Sequence, residues 1–503
     1  MALPDPVPKP IDHVLRGAAD APALLGRADS WTYADVEQAV ASVAGWLAAQ
    51  GLAPGDRVAT WLPKTRLACV MPLAAPRAGL VHVPVNPLLR RAQVAHILAD
   101  SGAALLLTQP ARAATLADGD VPVPCRVIDD GTVPFDAAGP GRSRSDPATL
   151  AAILYTSGST GRAKGVMLNH ANLWLGAISV AHYLHLAPAD RVLAVLPLSF
   201  DYGQNQLLST WAAGGLVAPL DYLTARDVVR AIERTGATTL AGVPPLWVQL
   251  LEADWPPETA ARLARLTNSG GALTPRLVRA LRERFADAEI VAMYGLTEAF
   301  RSTFLDPALI DAVPDAIGRA IPFAEVMAVR ADGSRAAPGE PGELVHAGPL
   351  VAQGYWRDAE RTAARFRPAP GFARHRGMAV WSGDKVIEGE DGLFRFVGRD
   401  DEMIKVAGNR ISPGEIEEVV LDGGEAREAV AIGVADDRNG QAVTLVVAGD
   451  AAGEEALRSR LKTALPSFMQ PARYLWREAL PRNANGKLDR ARLRAEILGE
   501  AAS

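Results

Sequence analysis

Cysteine is almost absent from this chain, which has only Cys69 and Cys125 among its 503 residues. Two cysteines this far apart exclude a disulfide framework and a metal site of the C-x-x-C type. The sequence has no run of about 18 apolar residues, so no membrane span is expected. It also has no cationic segment followed by an apolar core at its start, so no secretory signal is expected. These absences predict a reduced, cytoplasmic protein.

An excess of basic residues is absent as well. The net charge is -5, which argues against nucleic acid as a partner. Hydrophobic residues make up 49% of the chain and charged residues 22%, as in ordinary globular proteins. Single cores seldom exceed about 250–300 residues, so more than one domain is expected. The composition does not indicate an oligomeric state.

Helix and strand patterns alternate along most of the chain. Residues 30–63 have a helix N-cap, an amphipathic segment, a glycine stop and then an apolar strand pattern. The later apolar segments AAILYT, DRVLAVLPL, TTLAGVP and EIVAMYG alternate with helical patterns, which include 169–185 and 275–285. We predict an α/β fold with largely parallel sheets, whose ligands bind at the carboxyl ends of the strands.

The pattern changes near residue 318. Glycine and proline are dense from there to residue 396, and alternating segments such as AEVMAVRADGS and GELVHAGPLV predict the hairpins of a small β-rich unit. Helix and strand patterns resume after the charged stretch near residue 400. We therefore predict a large N-terminal domain at 1–400, which includes the β-rich unit, and a C-terminal α+β domain at 401–503.

The segment LYTSGSTGRAKG, at 154–165, has the glycines, hydroxyls and lysine of a phosphate-binding loop. The P-loop pattern G-x-x-x-x-G-K-[ST] fails here, because Ala163 and Gly165 occupy the positions of its second glycine and its Mg²⁺-binding hydroxyl. No G-x-G-x-x-G dinucleotide fingerprint opens the following helix. By itself, the segment is compatible with either a phosphate loop or a solvated turn.

Five further polar clusters follow apolar runs. They are TNSGGALTP at 267–275, MYGLTEAFRSTF at 293–304, WSGDKV at 381–386, GRDDEMIKVAGNRISPGEIE at 398–417 and LPRNANGKLDR at 480–490. In this order, the set resembles the AMP-forming adenylating superfamily of acyl-CoA synthetases, peptide-synthetase adenylation domains and luciferases. The second cluster is also similar to an acyl-CoA-ligase subgroup associated with exosortase systems.

The resemblance implies an ATP-dependent, AMP-forming acid–thiol ligase. Such an enzyme joins a small carboxylic acid to ATP, releases pyrophosphate, and passes the acyl group from the adenylate to a thiol. The implied cofactors are ATP, Mg²⁺ and the thiol of CoA or of phosphopantetheine on an acyl carrier protein. The N-terminal domain would hold ATP and the acid, and the C-terminal domain would be a mobile lid.

The resemblance also assigns an ATP site. Its residues are Thr156, Ser157, Gly158, Ser159, Thr160, Gly161 and Lys164 in the phosphate loop, Gly270, Gly271 and Ala272 beside adenine, and Tyr294, Gly295, Thr297, Glu298, Asp384 and Arg399. Tyr294 would stack on adenine, Thr297 would contact the α-phosphate, and Glu298 would hold Mg²⁺. Asp384 and Arg399 would bind the ribose. A lone strand-end tyrosine or an aspartate in a turn is otherwise a common structural feature.

Two lysines of the C-terminal domain carry the implied chemistry. Lys487 matches the family lysine that bridges the carboxylate and the α-phosphate during adenylation. Lys405 and Gly408 match a loop that enters the site for thioester formation. If both lysines act, one domain presents two faces to one site in turn, and a hinge near Asp401 would absorb the change in backbone angles. Solvated surface lysines are the alternative.

The acyl pocket leaves alternatives open. Amino-acid-activating members of the family have Phe-Asp at the position of Phe200 and Asp201, and their aspartate binds the substrate ammonium group. Asp201 would otherwise pair with protein, for instance with Arg301, and Arg301 would otherwise bind a second substrate anion. A non-catalytic nucleotide-binding homologue remains a remote alternative, although Lys487, Glu298 and Asp384 are all present.

Overall fold

The structure is a computed structural model that describes residues 3–26, 29–156, 163–271, 273, 275–399, 403–411, 413–423, 425–481 and 490–502. Its α-helices are Tyr33–Ala48, Arg66–Arg77, Arg91–Ser101, Pro110–Ala113, His170–Tyr183, Asp201–Ala212, Ala225–Thr235, Pro244–Leu251, Pro257–Ala260, Pro275–Arg284, Ala359–Arg365, Pro413–Leu421, Glu454–Ala464 and Arg490–Ala502. None of the helices in these ranges is long and apolar enough to cross a bilayer.

One sheet carries the phosphate-loop segment at its edge. Its strands, in spatial order, are Arg126–Asp129, Ala103–Thr108, Arg57–Trp61, Val81–Pro84, Leu150–Thr156 and Lys164–Asn169. Neighbouring strands are parallel except for the last pair, which is antiparallel and places Thr156 opposite Lys164. Thr156 and Lys164, the described ends of the predicted phosphate loop, therefore pair at the edge of this sheet.

A second sheet joins a parallel half to an antiparallel half. The parallel half consists of Glu289–Tyr294, Arg265–Asn268, Thr239–Gly242, Arg191–Ala194, Leu216–Pro219 and Pro22–Leu25, with Ser30–Thr32 antiparallel at its edge. The antiparallel half consists of Thr303–Phe304, Ala316–Ala320, Phe394–Arg399, Met378–Glu388, Pro341–Ala347 and Glu325–Val329, with Phe366–Pro368 beside Met378–Glu388. The antiparallel half contains the predicted β-rich unit.

A third, smaller sheet lies in the C-terminal part of the chain. Its strands are Asn409–Ile411, Ile404–Val406, Gly440–Gly449, Ala426–Asp436 and Arg473–Arg477. Pro413–Leu421 and Glu454–Ala464 pack on this sheet around a separate apolar core. The predicted α/β class, with parallel sheets in a large N-terminal part and a smaller C-terminal α+β part, is confirmed.

Capping residues explain why several helices begin where they do. Asn169 precedes His170–Tyr183, and its side chain accepts a hydrogen bond from the backbone N–H of Asn172. Thr32 caps Tyr33–Ala48 in the same way, through the N–H of Asp35. Such caps satisfy backbone donors that have no partner inside the helix. The helices predicted at 169–185 and 275–285 are confirmed to within two residues at either end.

Ile11 and Asp12, near the start of the chain, contact two helices of the N-terminal part. The N–H of Ile11 donates to His170 Nδ1 at 3.1 Å, and Asp12 Oδ2 accepts from Arg77 Nε at 2.8 Å. The side chains of Asp12 and Arg77 are both fully buried, and Arg77 Nη1 also lies 2.7 Å from Glu37 Oε1. This buried ion pair connects residue 12 to helix Arg66–Arg77.

Replacing Asp12 with alanine should destabilise the fold by about 3–5 kcal/mol, because it leaves the buried Arg77 guanidinium without its principal counter-ion. The midpoint of chemical denaturation measures this effect. Asp254→Ala is the control, since Asp254 pairs with Arg226 on the surface, where such a pair contributes at most about 1 kcal/mol. Equal losses in the two variants would contradict a structural role for the Asp12–Arg77 pair.

Candidate functional site

A cavity of about 1190 Å³ lies between the sheets and the C-terminal part. Ten of the residues predicted from the sequence line it: Thr156, Lys164, Phe200, Asp201, Gly270, Gly295, Thr297, Glu298, Arg301 and Gly408. Most of these residues follow strands of the parallel regions directly. The cavity therefore lies where ligands bind in open α/β sheets, outside the carboxyl ends of the strands.

Lys164 and Glu298 line the cavity and form a polar cluster with Tyr355. Lys164 Nζ donates to the Tyr355 hydroxyl at 2.7 Å and lies 3.3 Å from Glu298 Oε1. The Tyr355 O–H donates to the same Glu298 oxygen at 2.6 Å. The Glu298 side chain is 6% exposed. A buried carboxylate requires such partners, because desolvation otherwise disfavours its charge.

The electrostatics of the cluster keep Glu298 ionised. Burial alone would raise the pKa of Glu298, but Lys164, Arg365 and the Tyr355 hydroxyl outweigh burial and hold the pKa well below its ordinary value. Burial lowers the pKa of Lys164, against the opposing effect of Glu298. Glu298 is therefore an anion at neutral pH, as a metal-binding carboxylate must be.

Backbone pairing brings Tyr355 to this cluster. Tyr355 forms a β-bridge with Val166 in the strand that begins at Lys164, and the N–H of Trp356 donates to the Gly165 carbonyl at 2.8 Å. The N–H of Ala352 donates to the carbonyl of Glu298 at 2.8 Å. One short segment thus holds both ends of the Lys164–Glu298 pair in place.

Asp201 and Arg301 face each other on another part of the wall. Arg301 Nη2 lies 3.8 Å from Asp201 Oδ2, and the Thr297 hydroxyl donates to Asp201 Oδ1 at 3.2 Å. Burial raises the pKa of Asp201, and Arg301 opposes this shift. Asp201 thus has a protein counter-ion, one of the alternatives that the sequence left open.

Side-chain hydrogen bonds stabilise the loop that was predicted to lie beside adenine. Trp247 Nε1 donates to Asn268 Oδ1 at 3.0 Å, and Asn268 Nδ2 donates to the Gly271 carbonyl at 2.8 Å. Gly270 has φ +79°, a left-handed conformation that glycine adopts without steric cost. These contacts fix the backbone after strand Arg265–Asn268, where Gly270 lines the cavity.

The predicted ribose-binding residues form a group of their own. Asp384 lies directly opposite Arg399 on adjacent antiparallel strands, and the Tyr294 hydroxyl donates to Asp384 Oδ2. Asp384 is buried, and Tyr294 is half-buried. Tyr294 and Asp384 do not line the large cavity, although Gly295, the next residue after Tyr294, does.

The C-terminal part reaches the cavity through a turn at residues 407–410. A Cβ atom on Gly408 would lie 2.8 Å from the Val243 side chain, and the Gly408 carbonyl lies close to Gly270. Gly408 has φ +78°, so both its conformation and this close approach require glycine. Gln93 Nε2 also donates to Glu415 Oε1 at 2.8 Å, which connects helix Arg91–Ser101 to helix Pro413–Leu421.

The remaining predicted residues lie away from the cavity or outside the described ranges. Lys405 does not line the cavity, and its Nζ lies 5.4 Å from the centroid of the Phe396 ring. The predicted site residues outside the described ranges are Ser157, Gly158, Ser159, Thr160, Gly161, Ala272, Asp401 and Lys487. The roles predicted for these residues stay predictions.

Sequence reasoning missed Tyr355 and Arg410. Tyr355 lies in the segment GYWRD, whose glycine–aromatic pattern is a weak signal, and its contacts are with residues far away in the chain. Arg410 lies in the fourth polar cluster, lines the cavity, and lowers the pKa of Glu298.

Family models match most of the chain. A model of AMP-binding enzymes matches residues 11–356, and a model of the C-terminal domain of AMP-binding enzymes matches residues 415–487. The chain belongs to the AMP-binding enzyme family. This membership confirms the resemblance to adenylating enzymes and the prediction of an ATP-dependent, AMP-forming ligase.

Relatives of this AMP-binding enzyme include stand-alone and modular proteins. Novobiocin biosynthesis protein H of Streptomyces niveus is 33% identical over 96% of this chain and 81% of its own length. The L-proline--[L-prolyl-carrier protein] ligase of Pseudomonas fluorescens is 31% identical over 95% of this chain and 96% of its own length. A linear gramicidin synthase protein of Brevibacillus parabrevis is 30% identical over 96% of this chain, which spans only 6% of that protein.

Solved structures share the fold of this AMP-binding enzyme over nearly the whole chain. The o-succinylbenzoate CoA synthetase of Bacillus subtilis has a TM-score of 0.85 at 25% identity, covering 97% of this chain and 99% of the other. The amide bond synthetase McbA of Marinactinospora thermotolerans has a TM-score of 0.84 at 28% identity, covering 97% and 100%.

Replacing Tyr355 with phenylalanine should lower kcat/KM for ATP about tenfold, because the change removes the hydroxyl that holds Lys164 and Glu298 together. ATP–pyrophosphate exchange measures this parameter. Tyr33→Phe is the control, because it removes another buried hydroxyl, which donates to the Gly215 carbonyl at 2.7 Å away from the cavity. An unchanged ATP dependence in Tyr355→Phe would show that the Tyr355 hydroxyl is not needed for ATP use.

Proposed function

We propose that this AMP-binding enzyme activates a small polar carboxylic acid with ATP and Mg²⁺ and transfers the acyl group to a thiol. The observation that carries this proposal is the shared cavity, lined by the Lys164–Glu298 pair, the Asp201–Arg301 pair and the turn at Gly408. The proposed phosphate site, acyl pocket and entry path for an acceptor would thus be adjacent.

In the adenylation step, an oxygen of the substrate carboxylate attacks the α-phosphorus of ATP. The bond from that phosphorus to the bridging oxygen of pyrophosphate breaks, and the products are acyl-adenylate and pyrophosphate. In this proposal Lys164 would neutralise charge on the phosphates, and Thr297 would contact the α-phosphate. Tyr294, Asp384 and Arg399 would hold the nucleoside.

Glu298 fits the predicted Mg²⁺ site. Its carboxylate is buried and ionised, although within the described residues no group of three or more His, Cys, Asp and Glu side chains is placed to hold a metal. Phosphate oxygens and water would complete the coordination, as is usual for nucleotide-bound Mg²⁺. When bound, Mg²⁺ would offset the charge of the phosphates. Lys164 is available to move from Glu298 to the phosphates.

In the transfer step, a thiolate attacks the acyl carbonyl carbon, and AMP leaves with the electron pair of the broken C–O bond. Gly408 lines the cavity in this structure, which supports its predicted role in thioester formation. We propose that the Gln93–Glu415 hydrogen bond holds the C-terminal domain in this orientation. Rotation about a hinge near Asp401 would then bring Lys487 to the site for adenylation.

The alternative is activation of an amino acid for loading onto a carrier protein. The proline–carrier protein ligase, at 31% identity, favours it. The pairing of Asp201 with Arg301 weakens it, because an ammonium group at equal distance from both would be attracted by one and repelled by the other. Each effect is about 4 kcal/mol for unit charges 4 Å apart at an effective dielectric constant of 20, so the two nearly cancel.

Pyrophosphate exchange over a panel of fatty, aryl, dicarboxylic and amino acids tests the proposed function. We expect exchange that depends on ATP, Mg²⁺ and a small polar acid, with AMP as the product nucleotide in the full reaction. Turnover with amino acids alone would favour the alternative, and release of ADP would contradict the proposed chemistry. Acceptor trials with CoA, a phosphopantetheinylated carrier protein and a simple amine then identify the nucleophile.

Replacing Lys487 with alanine should abolish acyl-adenylate formation but spare thiolysis of a supplied acyl-adenylate. The physical reason is that the lysine charge bridges the carboxylate and the α-phosphate only while they react. Exchange and thiolysis, assayed separately, measure the two steps. Lys462→Ala is a control, because Lys462 is an exposed lysine on helix Glu454–Ala464. Survival of exchange in Lys487→Ala would contradict the assignment.

A further inference from the structure

The Arg301 guanidinium is buried with much of its hydrogen-bonding capacity unused. Arg301 is 2% exposed, its Nη1 donates to Ser269 Oγ at 2.8 Å, and the Tyr183 hydroxyl also interacts with it. Nη2 lies 3.8 Å from Asp201 Oδ2, which is too far for a hydrogen bond, and Nε has no acceptor within the described residues. A guanidinium carries five N–H donors, and a buried charged donor without an acceptor is costly.

The surroundings hold this guanidinium in one place. Its Cζ lies 4.7 Å from the centroid of the Tyr202 ring, and Tyr202 is anchored by its hydroxyl, 2.8 Å from the Thr267 carbonyl. A Cβ atom on Gly295 would lie 2.8 Å from Arg301 Cα, so glycine is required there for Arg301 to pack. The side chain is therefore preorganised at the cavity wall, and a ligand meets it without reordering it.

The opposite side of the pair is better satisfied. Asp201 Oδ1 accepts a hydrogen bond from the Thr297 hydroxyl, whereas Arg301 Nε has no acceptor within the described residues. Asp201 then serves as the counter-ion that offsets the charge of the buried Arg301. Ser199 adds a buried hydroxyl on the cavity wall that makes no hydrogen bond within the described residues. The polar groups on this part of the cavity wall that lack a protein partner in the described part of the chain are therefore mainly hydrogen-bond donors.

We propose that the acid activated by this enzyme carries a second hydrogen-bond acceptor, a carbonyl or carboxylate oxygen, which binds the Arg301 guanidinium. This inference rests on the proposed function and specifies its substrate class. The reacting carboxylate would lie near Thr297, at the phosphates, and the second oxygen would lie at Arg301, four residues further along the chain. A plain hydrocarbon acid would leave the donors of Arg301 unfilled.

A matched set of acids tests the inference by pyrophosphate exchange on the full-length chain. Hexanoic, 5-oxohexanoic, glutaric and 5-aminopentanoic acids have chains of similar length, and pentanoic, 4-oxopentanoic, succinic and 4-aminobutanoic acids form a shorter set. We expect kcat/KM for the oxo or carboxy acids to exceed that of the plain acid about tenfold or more, as for a lost hydrogen bond to a charged group. The oxo and carboxy members distinguish a carbonyl from a carboxylate.

Variants at the site provide the second measurement. Arg301→Gln should reduce the ratio of kcat/KM for the oxo or carboxy acids to kcat/KM for the plain acids to near unity. The kcat/KM values of the plain acids should change least. Arg301→Lys should restore part of it, because lysine keeps the charge but not the planar set of donors. Thermal denaturation checks folding, and if neither variant folds, the wild-type acid series decides alone. Lys462→Ala again serves as a control that should keep the wild-type discrimination.

The outcomes separate the inference from the proposed function. Equal or better turnover of the plain acids, or a preference for the amino-substituted acids, overturns the inference and leaves an acid-activating enzyme in place. An unchanged discrimination in a folded Arg301→Gln variant also overturns it. Absence of exchange with every acid of the wider panel would instead contradict the proposed function.

Discussion

The burial of the Glu298 carboxylate is the constraint on which the rest of the site depends. A carboxylate with a 6% exposed side chain keeps its charge only if cations and donors surround it. Lys164 comes from the edge of one sheet, Glu298 follows a strand of the other sheet, and Tyr355 comes from the segment that joins them. The cluster therefore forms only when both sheets are assembled.

The positive charges that stabilise the Glu298 carboxylate would also attract the phosphates of a nucleotide. Glu298 is held by groups that carry positive charge or donate hydrogen bonds, and phosphates compete for these same groups. Arg410 links the cluster to the C-terminal part, because its charge acts on both Glu298 and Lys164. The position of the C-terminal part is thus coupled electrostatically to the proposed phosphate site. The proposed rotation of the C-terminal part would remove a positive charge from that site.

Local signals in the sequence predicted much of the fold. The N-cap signal expected within residues 30–63 corresponds to Thr32 in the structure. Apolar strand patterns predicted the parallel sheets. The resemblance of spaced motifs to a known family predicted that Lys164 and Glu298 belong to one site, and their side chains lie 3.3 Å apart. Tyr355 and the Gln93–Glu415 contact were missed, since each depends on partners distant in the chain. Local periodicity carries no information about such pairs.

The Phe200–Asp201 pair shows why a motif underdetermines a pocket. The aspartate fits an ammonium-binding role in isolation, but its surroundings decide what charge it presents to a ligand. Arg301 lies 3.8 Å from Asp201, so the charges of these two side chains nearly cancel. The two side chains then differ mainly in their unused hydrogen-bonding capacity. The guanidinium has more donors than the protein fills, whereas the carboxylate already accepts from Thr297. The selectivity of this wall therefore follows from its unused donors, which favour an oxygen of the ligand over an ammonium group.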